Sequence, residues 1–473
     1  MDSGTAYKIF VLAPFAPVSQ ETFQPLFEKV DRFSLDQVME TINPVFRVPG
    51  PGGGIDLSIS GMKDFRPRHM VKKHHELSYP AEKVDREASK PAVRDNNDRV
   101  EDILSMVENP SGKERSGSVS EPVGDQGLLT EIFSDPEFQK AESAWRGLQL
   151  LLEQGDVRGS ETIDVRICPV SHTSLSKVLD HLAVPGEDQI PNLVLIDLPL
   201  SNTQSMVDLL EKTAEFSDKM MTPVCFRLDP DFFSIDGWDR LGKIAYLKHY
   251  LEEHAYIKWN KIRSHPGAGW LMVVCNGFVS RPGHAFEKES FCSSPVWALG
   301  VLCSQSVHLT GWPMSFTRYT DIRLENLPSA VVDEKTACSV QALFSEDRIL
   351  QFVESGITPL VGAKNKDTAF MPRETALSGE SILFSMFFNR VIETLMRSGT
   401  GGSKSEKAGD EIVSALTDLF FYFLHPVPQA LSVTSEGPST DQAPLYLISF
   451  TPPYSLLKST EKIEFSFSRK LPE

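Results

Sequence analysis

The sequence predicts an α/β fold, with a small α+β module ahead of a larger, layered α/β domain, and three observations predict it. Between Ile163 and Leu228 strand-like runs alternate with helical ones, the order that builds a layer of parallel strands. The chain has 473 residues, 41% hydrophobic and 23% charged, which is globular material long enough for two to three domains and a large core. Residues 81–125, rich in Lys, Glu, Asp, Ser, Asn and Pro, divide a first unit, 1–80, from the remainder, 126–473. This linker holds too few apolar groups to offset the entropy of ordering, so a flexible segment is expected.

The first unit opens with a β-like run, Tyr7 to Leu12. Leu35, Val38, Met39 and Ile42 then recur at helical spacing behind Ser34, placed as an N-cap. Pro49 to Gly54 forces a turn, and Ile55 to Ile59 alternates as a half-buried strand does. Inside the linker Val100, Ile103, Leu104 and Val107 mark one short amphipathic helix, Asp98 to Glu108, closed by Asn109-Pro110. A helix this short is marginal alone in water.

The large domain begins with a helix pair, Leu128 to Phe133 and Pro136 to Leu152. The alternation follows as strand Ile163 to Val170, helix Leu175 to Leu182, strand Leu193 to Leu198, helix Met206 to Met221 and strand Val224 to Leu228. Helices are expected over Trp238 to Ile262, a buried strand over Gly269 to Phe278 and a helix over Val296 to Thr310. Near the end Glu411 to Leu424 reads as a helix, and Leu445 to Phe450 and Lys462 to Arg469 as strands. The last alternates cleanly, with Ile463, Phe465 and Phe467 on one face, and is a candidate assembly strand.

Charge and motifs exclude several classes of function. The net charge of −17 repels phosphate backbones and anionic headgroups, so neither nucleic acid nor membrane insertion is expected. The longest apolar runs, Trp270 to Cys275 and Leu419 to Leu424, fall far short of the ~20 residues a membrane span needs. Met1-Asp2-Ser3-Gly4 lacks the features of a secretory signal, which points to a cytoplasmic protein. The six cysteines stand singly with no CxxC pair, as buried inert thiols in a reducing compartment do. Gly399 to Ser405 lacks the spacing of a phosphate loop and follows a helix. His74 and His75 point to different faces, and His249 and His254 miss the i, i+4 spacing of a metal pair. No nucleophile elbow is present, and Glu252-Glu253 and Asp410-Glu411 fit solvated helix faces. The expectation is no enzyme, no cofactor and no metal.

One local pattern is specific. Asp135 with Pro136 starts a helix on which Phe138, Ala141, Trp145 and Leu148 form an apolar stripe, while Arg146 can pair with Glu142 four residues earlier. This run, Phe133 to Gln139 followed by Glu142-Ser143-Ala144-Trp145-Arg146-Gly147-Leu148, resembles the signature near the start of the large subunit of the type VI secretion contractile sheath. The resemblance continues through Tyr256 to Arg263, with Trp259 and Arg263, then Ala268 to Pro282, Thr310-Gly311-Trp312, Leu324 to Pro328, Ser345 to Lys364 and Pro444 to Pro472. Residues of the first unit, Phe10 to Leu12, Val30 to Phe33, Asp36 to Met39, Asp56 to Ile59 and Asp64 to Pro67, fall in the order of the sheath's small subunit. The segment Pro426 to Gln442 departs from the family, as does Thr451-Pro452-Pro453.

The resemblance implies a structural protein: a small-subunit module fused to a large-subunit module, forming homo-oligomers with an inner tube protein and baseplate components as partners. It further implies that the linker helix is a candidate contact for a sheath-recycling ATPase. The alternative is a non-polymerising, sheath-like adaptor or cap of the same machine. An α/β enzyme with a pocket at the strand ends rests on fold analogy alone.

Overall fold

The computed structural model describes residues 6–18, 23–48, 54–74, 77, 126–184, 190–284, 286, 287, 289–333, 335–397, 405–423, 429–436, 445–452, 457 and 461–468. The first segment contributes β1 (Tyr7–Ala13), β2 (Glu28–Val30), α1 (Leu35–Ile42), the hairpin β3 (Val45–Val48) and β4 (Ile55–Ser58), and α2 (Pro67–Lys73). Helices α3 (Gln126–Ser134) and α4 (Pro136–Gln154) precede the alternation β5 (Ile163–Pro169), α5 (Leu175–Leu182), β6 (Leu193–Leu200), α6 (Gln204–Met220) and β7 (Val224–Leu228). Short helices α7 (Leu247–Leu251) and α8 (Ile257–Arg263) lead to β8 (Leu271–Cys275), the pair β9 (Phe278–Arg281) and β10 (Phe291–Ser293), and α9 (Pro295–Thr310). Next come the pair β11 (Ala330–Asp333) and β12 (Thr336–Cys338), α10 (Glu346–Glu354), β13 (Thr358–Pro359) and the pair β14 (Val361–Gly362) and β15 (Ala369–Phe370). Helices α11 (Leu383–Arg397) and α12 (Ser405–Phe423) end on an antiparallel sheet of β16 (Gln429–Glu436), β17 (Leu445–Thr451) and β18 (Ile463–Ser468).

The fold is α/β, organised by a seven-stranded sheet in the order β13-β8-β7-β6-β1-β5-β2. All neighbours run parallel except the edge strand β2, which is antiparallel to β5. β1, β6 and β8 are buried almost throughout, the pattern of strands covered on both faces. Alternate side chains feed two cores: Tyr7, Ile9 and Val11 enter one, Phe10 and Leu12 the other. The first core collects α4, α9, α11 and α12 together with Phe15, Met39, Phe46, Leu57 and Phe65 of the first segment. The second collects α5, α6, Trp238, Trp259 and Phe352.

Expected and observed bounds coincide for α5 and β7. The first segment differs from expectation in its packing. β1 is no part of a free-standing module; it lies between β5 and β6, with Tyr7 opposite Ile163 and Ile9 opposite Leu193. The strand expected over Gly269 to Phe278 is broken, because Asn276 adopts φ 72° and its Nδ2 donates to Ala342 O at 2.9 Å and Leu360 O at 2.7 Å. β8 and β9 therefore join different sheets. The helical stretch from Trp238 is fragmented into 3-10 turns, α7 and α8, and each of Trp238, Tyr256 and Trp259 turns into the second core. His249 and His254 thereby fall on separate elements. Ser34 does not cap α1 with its side chain; its Oγ is held by Asp31 at 2.9 Å in the preceding turn. α11, β2, β3 and β16 were not expected, and the Asp98 to Glu108 helix lies outside the described residues, as do Gly50 to Gly53 and Gly399 to Lys404.

Removing β1 would strip Tyr7, Ile9, Phe10, Val11 and Leu12 from the cores, at ~1.5–3 kcal/mol each. That sum rivals the ~5–15 kcal/mol by which a domain is stable. A fragment of residues 126–473 is expected to aggregate or melt without cooperativity, and to recover a cooperative melt when co-expressed with residues 1–80. A cooperative melt of the fragment alone in scanning calorimetry would contradict the shared core.

Candidate functional site

The signature residues lie on α4 and the turn before it. Asp135 starts the helix: its Oδ1 accepts the Phe138 N–H at 2.8 Å, and Pro136 occupies the first helical position, where a missing N–H costs nothing. Phe138 enters an aromatic cluster with Phe46, Phe65 and Phe133, at centroid distances of 5.5, 5.5 and 5.3 Å. Trp145 is fully buried against Phe15 at 4.7 Å, and its Nε1–H donates to Phe15 O at 2.9 Å. Both side chains thus fasten α4 to the first segment. Leu148 is buried in the same core. Gly147 faces the Trp297 indole, where a Cβ would lie 2.3 Å from Cδ1, so only glycine lets α4 approach α9 this closely. Trp297 Nε1–H donates to Asp197 at 2.8 Å, and Asp197 pairs with Arg227 at 3.2 Å.

Glu142 is the exception on a buried helix face, a carboxylate with no solvent exposure. It accepts from Arg146 Nε at 2.8 Å and from Arg281 Nε and Nη2 at 2.7 and 3.1 Å. Arg281 Nη2 also donates to Glu287 at 2.9 Å, and its guanidinium lies 4.6 Å over the Phe291 ring. Two carboxylates and two guanidiniums close the group. Burial alone would raise the Glu142 carboxyl, but Arg146 and Arg281 outweigh it and hold the group below its ordinary range. Burial opposes charge on Arg281 as well, yet the hydrogen bonds it donates to Glu287 and Glu142 raise its pKa and keep it ionised. His284, edge-on to Phe133 at 5.0 Å, is lowered from 6.5 to about 4 by burial and then by Arg281.

The remaining signature residues are elsewhere. Trp259 and Arg263 sit on α8 in and beside the second core, Trp259 at 4.8 Å from Phe232 and Arg263 donating to Leu377 O and Glu354 O at 3.1 and 3.3 Å. Trp312 returns to the first core, stacked on Phe387 at 5.2 Å. These residues form distributed anchors on both faces of the sheet rather than one site. β18 is an edge strand whose Ile463, Phe465 and Phe467 lie opposite Phe450, Ile448 and Tyr446. Their side chains turn inward, Phe465 reaching Phe388 at 5.0 Å, so a neighbour would meet the strand's backbone edge instead of its apolar face. Val100, Ile103, Leu104 and Val107 lie outside the described residues.

Sequence reasoning found the Glu142–Arg146 pair and missed Arg281, Glu287, Asp197 and Trp297. The available signal was Glu142 itself, a carboxylate on the stripe of Phe138 and Trp145 that demands more than one counter-ion. Nothing local marks Arg281, which is 139 residues away. As to chemistry, no group of three His, Cys, Asp or Glu among the described residues is placed to hold a metal ion. Burial pushes the Cys168 and Cys292 thiols up to about 12. An open cleft of 360 Å³ is lined by Lys248, Glu252, Asn260 and Arg263 among others. No described helix is long and apolar enough to cross a membrane.

Residues 184–377, which hold β6 to β8 and β13 as well as Trp259, Arg263, Arg281 and Trp312, match the family described as VipB: EvpB/VC_A0108, tail sheath N-terminal domain. The chain is 23% identical over 332 residues to the type VI secretion system sheath protein TssC1 of Pseudomonas aeruginosa. The alignment covers 60% of this chain and 65% of that protein, so less than two thirds of the relative's length is spanned. In structure, the chain is similar to a chain of the anti-feeding prophage baseplate solved by cryo-EM, with a TM-score of 0.36, 9% identity, and coverage of 70% of this chain and 78% of that one.

Glu142→Gln would leave the buried Arg281 and the half-buried Arg146 beside a neutral amide, at an expected loss of ~3–5 kcal/mol in urea unfolding. Arg158→Gln, whose pair with Asp156 is exposed, should change little. Acid acts with one sign. The folded pKa of His284 is depressed, so its contribution is present above 6.5 and lost as pH falls from 6.5 to about 4. Glu142 is also depressed, so its contribution is full above the unfolded carboxylate value of roughly 4.3 and is lost at lower pH. Urea midpoints should fall on acidification, and His284→Phe should flatten the decline between pH 6.5 and 4.5. An unchanged slope in that variant would dismiss the histidine.

Proposed function

We propose that this chain is a structural component of a type VI secretion contractile sheath, assembling with copies of itself around an inner tube protein and meeting baseplate components at its ends. The observation that carries the reading is the tail-sheath family match over residues 184–377, and the resemblance to TssC1 supports it. Residues 1–80 correspond in this reading to the small subunit and residues 126–473 to the large one, fused through 81–125. The role is cytoplasmic and requires no catalysis. Protomer contacts of higher free energy are formed on assembly, and firing moves the polymer to a tighter packing of lower free energy.

The protomer geometry suits load-bearing. Phe138 and Trp145 of α4 pack on the first segment and Lys8 of β1 pairs with Glu393 of α11, so the two segments hold one orientation and deformation falls on contacts between copies. The C-terminal sheet leaves two strands, β16 and β18, at its edges, where a neighbour's backbone can add. Residues 98–108, which lie outside the described residues, are in this reading the contact for a recycling ATPase, and a peptide of residues 96–112 that fails to bind such an ATPase would remove that part of the reading.

Purified full-length protein should form tubes or rings by electron microscopy. Ser466→Pro, which removes one backbone donor and fixes φ at a central position of the edge strand β18, should keep wild-type circular dichroism and lose large assemblies in sedimentation if β18 is an edge between copies. Wild-type protein that remains monomeric at high concentration would sink the polymer reading and leave the adaptor in its place.

A further inference from the structure

A lysine is rarely found inside a sheet, yet Lys8 of β1 is 4% exposed, and Asn192, Arg390 and Glu393 around it are 1, 3 and 4% exposed. Lys8 and Asn192 are neighbours across parallel strands. Ile9 stands opposite Leu193, and the Asn192 N–H donates to Lys8 O at 2.9 Å, which extends the β1–β6 register by one residue. The Lys8 backbone N–H donates to Asn192 Oδ1 at 2.8 Å, so the carboxamide has one orientation, its oxygen toward β1 and its nitrogen toward α11.

On the α11 side, Asn192 Nδ2 donates to Glu393 Oε2 at 2.7 Å and to Asn389 Oδ1 at 2.8 Å. The other oxygen of the same carboxylate, Glu393 Oε1, is 3.2 Å from Lys8 Nζ. One buried carboxylate therefore holds the amine of Lys8 and the amide nitrogen of Asn192 together. Arg390 Nη1 lies 3.4 Å from Asn192 Oδ1, a second donor on the carbonyl oxygen, and 3.2 Å from Glu393 Oε2. These are the parts of an acyl transfer: a nucleophile, a carbonyl whose oxygen meets two donors, and a base in contact with both the attacking and the leaving nitrogen.

We propose that Lys8 and Asn192 join in an isopeptide bond, formed once by each chain on itself. Glu393 takes a proton from the Lys8 ammonium, a transfer that burial favours because it removes both charges of the pair. The terminal torsions of Lys8 then turn Nζ from Glu393 Oε1 onto Asn192 Cγ, and the charge that gathers on Oδ1 is met by the Lys8 N–H and Arg390. Glu393 passes its proton to Nδ2 and takes the second proton from Nζ as the Cγ–Nδ2 bond breaks. The sum is an ammonium and a carboxamide giving a secondary amide and an ammonium ion, with no oxidant or further reactant. Because the bond ties β1 to the start of β6, it closes a covalent ring through residues 81–125 and fixes the inserted strand in the sheet under load. The proposal stands apart from the assembly reading and does not need it.

Mass spectrometry of full-length protein, purified and then denatured, tests it. Wild type should weigh one ammonia less than its sequence requires, and trypsin should release a branched peptide that carries both Lys8 and Asn192, uncut after Lys8. Asn192→Asp should yield the same branched peptide more slowly, with water as the leaving group. Lys8→Met and Glu393→Gln should give unbranched chain that has lost nothing. Wild type at full mass, with Lys8 and Asn192 on separate peptides, overturns the proposal, and that result requires no variant to fold. Loss of ammonia without a branch, as succinimide formation gives, overturns it as well. So does a branch that maps to another lysine or asparagine, or Glu393→Gln that keeps wild-type circular dichroism and is branched in wild-type yield.

Discussion

Strand β1 is the constraint on which the rest of the structure depends. It is inserted between β5 and β6, so the sheet that carries both cores closes only when a strand from the start of the chain reaches two strands that follow residue 160. Parallel neighbours cannot be joined by tight turns, and every contact of β1 within the sheet is therefore long-range. Its two faces have different tasks: Tyr7, Ile9 and Val11 support α4 and the C-terminal helices, while Phe10 and Leu12 complete the layer under α5 and α6. Burial of this kind ties the order of the two halves together, since neither core is complete without it.

Polar groups fix the orientation that apolar burial leaves loose. Lys8, on β1, reaches Glu393 of α11 at 3.2 Å, and Asn192 Nδ2 donates to Glu393 at 2.7 Å and to Asn389 at 2.8 Å. Asn389 donates in turn to Met221 O at 2.9 Å, so one buried network joins α11 to the starts of β1, β6 and β7. The Glu142 group performs the same task between α4 and β9. Desolvating these charges is expensive, and an apolar replacement of the whole group could be as stable. What the charges supply is direction: a bidentate guanidinium accepts one geometry, whereas leucines slide. For a protein proposed to transmit force between copies, a unique orientation matters more than a further increment of stability.

Much of the local structure was legible. The alternation from Ile163 to Leu228 is periodicity within short windows, and α5 and β7 fall at their expected bounds because Leu175, Val178, Leu179 and Leu182 face one way and Val224 to Leu228 is an apolar run. The strand character of Tyr7 to Leu12 was equally plain, yet its place in the sheet was not, because pairing partners far apart in sequence leave no local trace. α11 had a readable stripe in Leu383, Met386, Phe387, Val391 and Leu395 that went unused. β16 offers only weak alternation in Gln429–Glu436 and is a strand because β17 pairs with it. Of the candidate residues, the cap, stripe and i, i+4 pair of α4 could be read, since all lie within two turns. The Arg281 contact and the Trp297 ring against Gly147 could not, because they come from other elements.

The insertion of β1 bears on why the two halves would be one chain. If residues 1–80 and 126–473 correspond to separate subunits, inserting β1 between two chains carries the loss of translational and rotational freedom, ~4–15 kcal/mol. Joining them through residues 81–125 replaces that term with loop closure, (3/2)RT ln n, which is about 3 kcal/mol for a loop of roughly 45 residues. Completion of the sheet then no longer depends on concentration. In that case the local concentration of β1 would be set by the length of chain that joins the halves. The entropic cost of pairing the halves falls once, at folding, and the free energy of contacts between copies remains available for assembly.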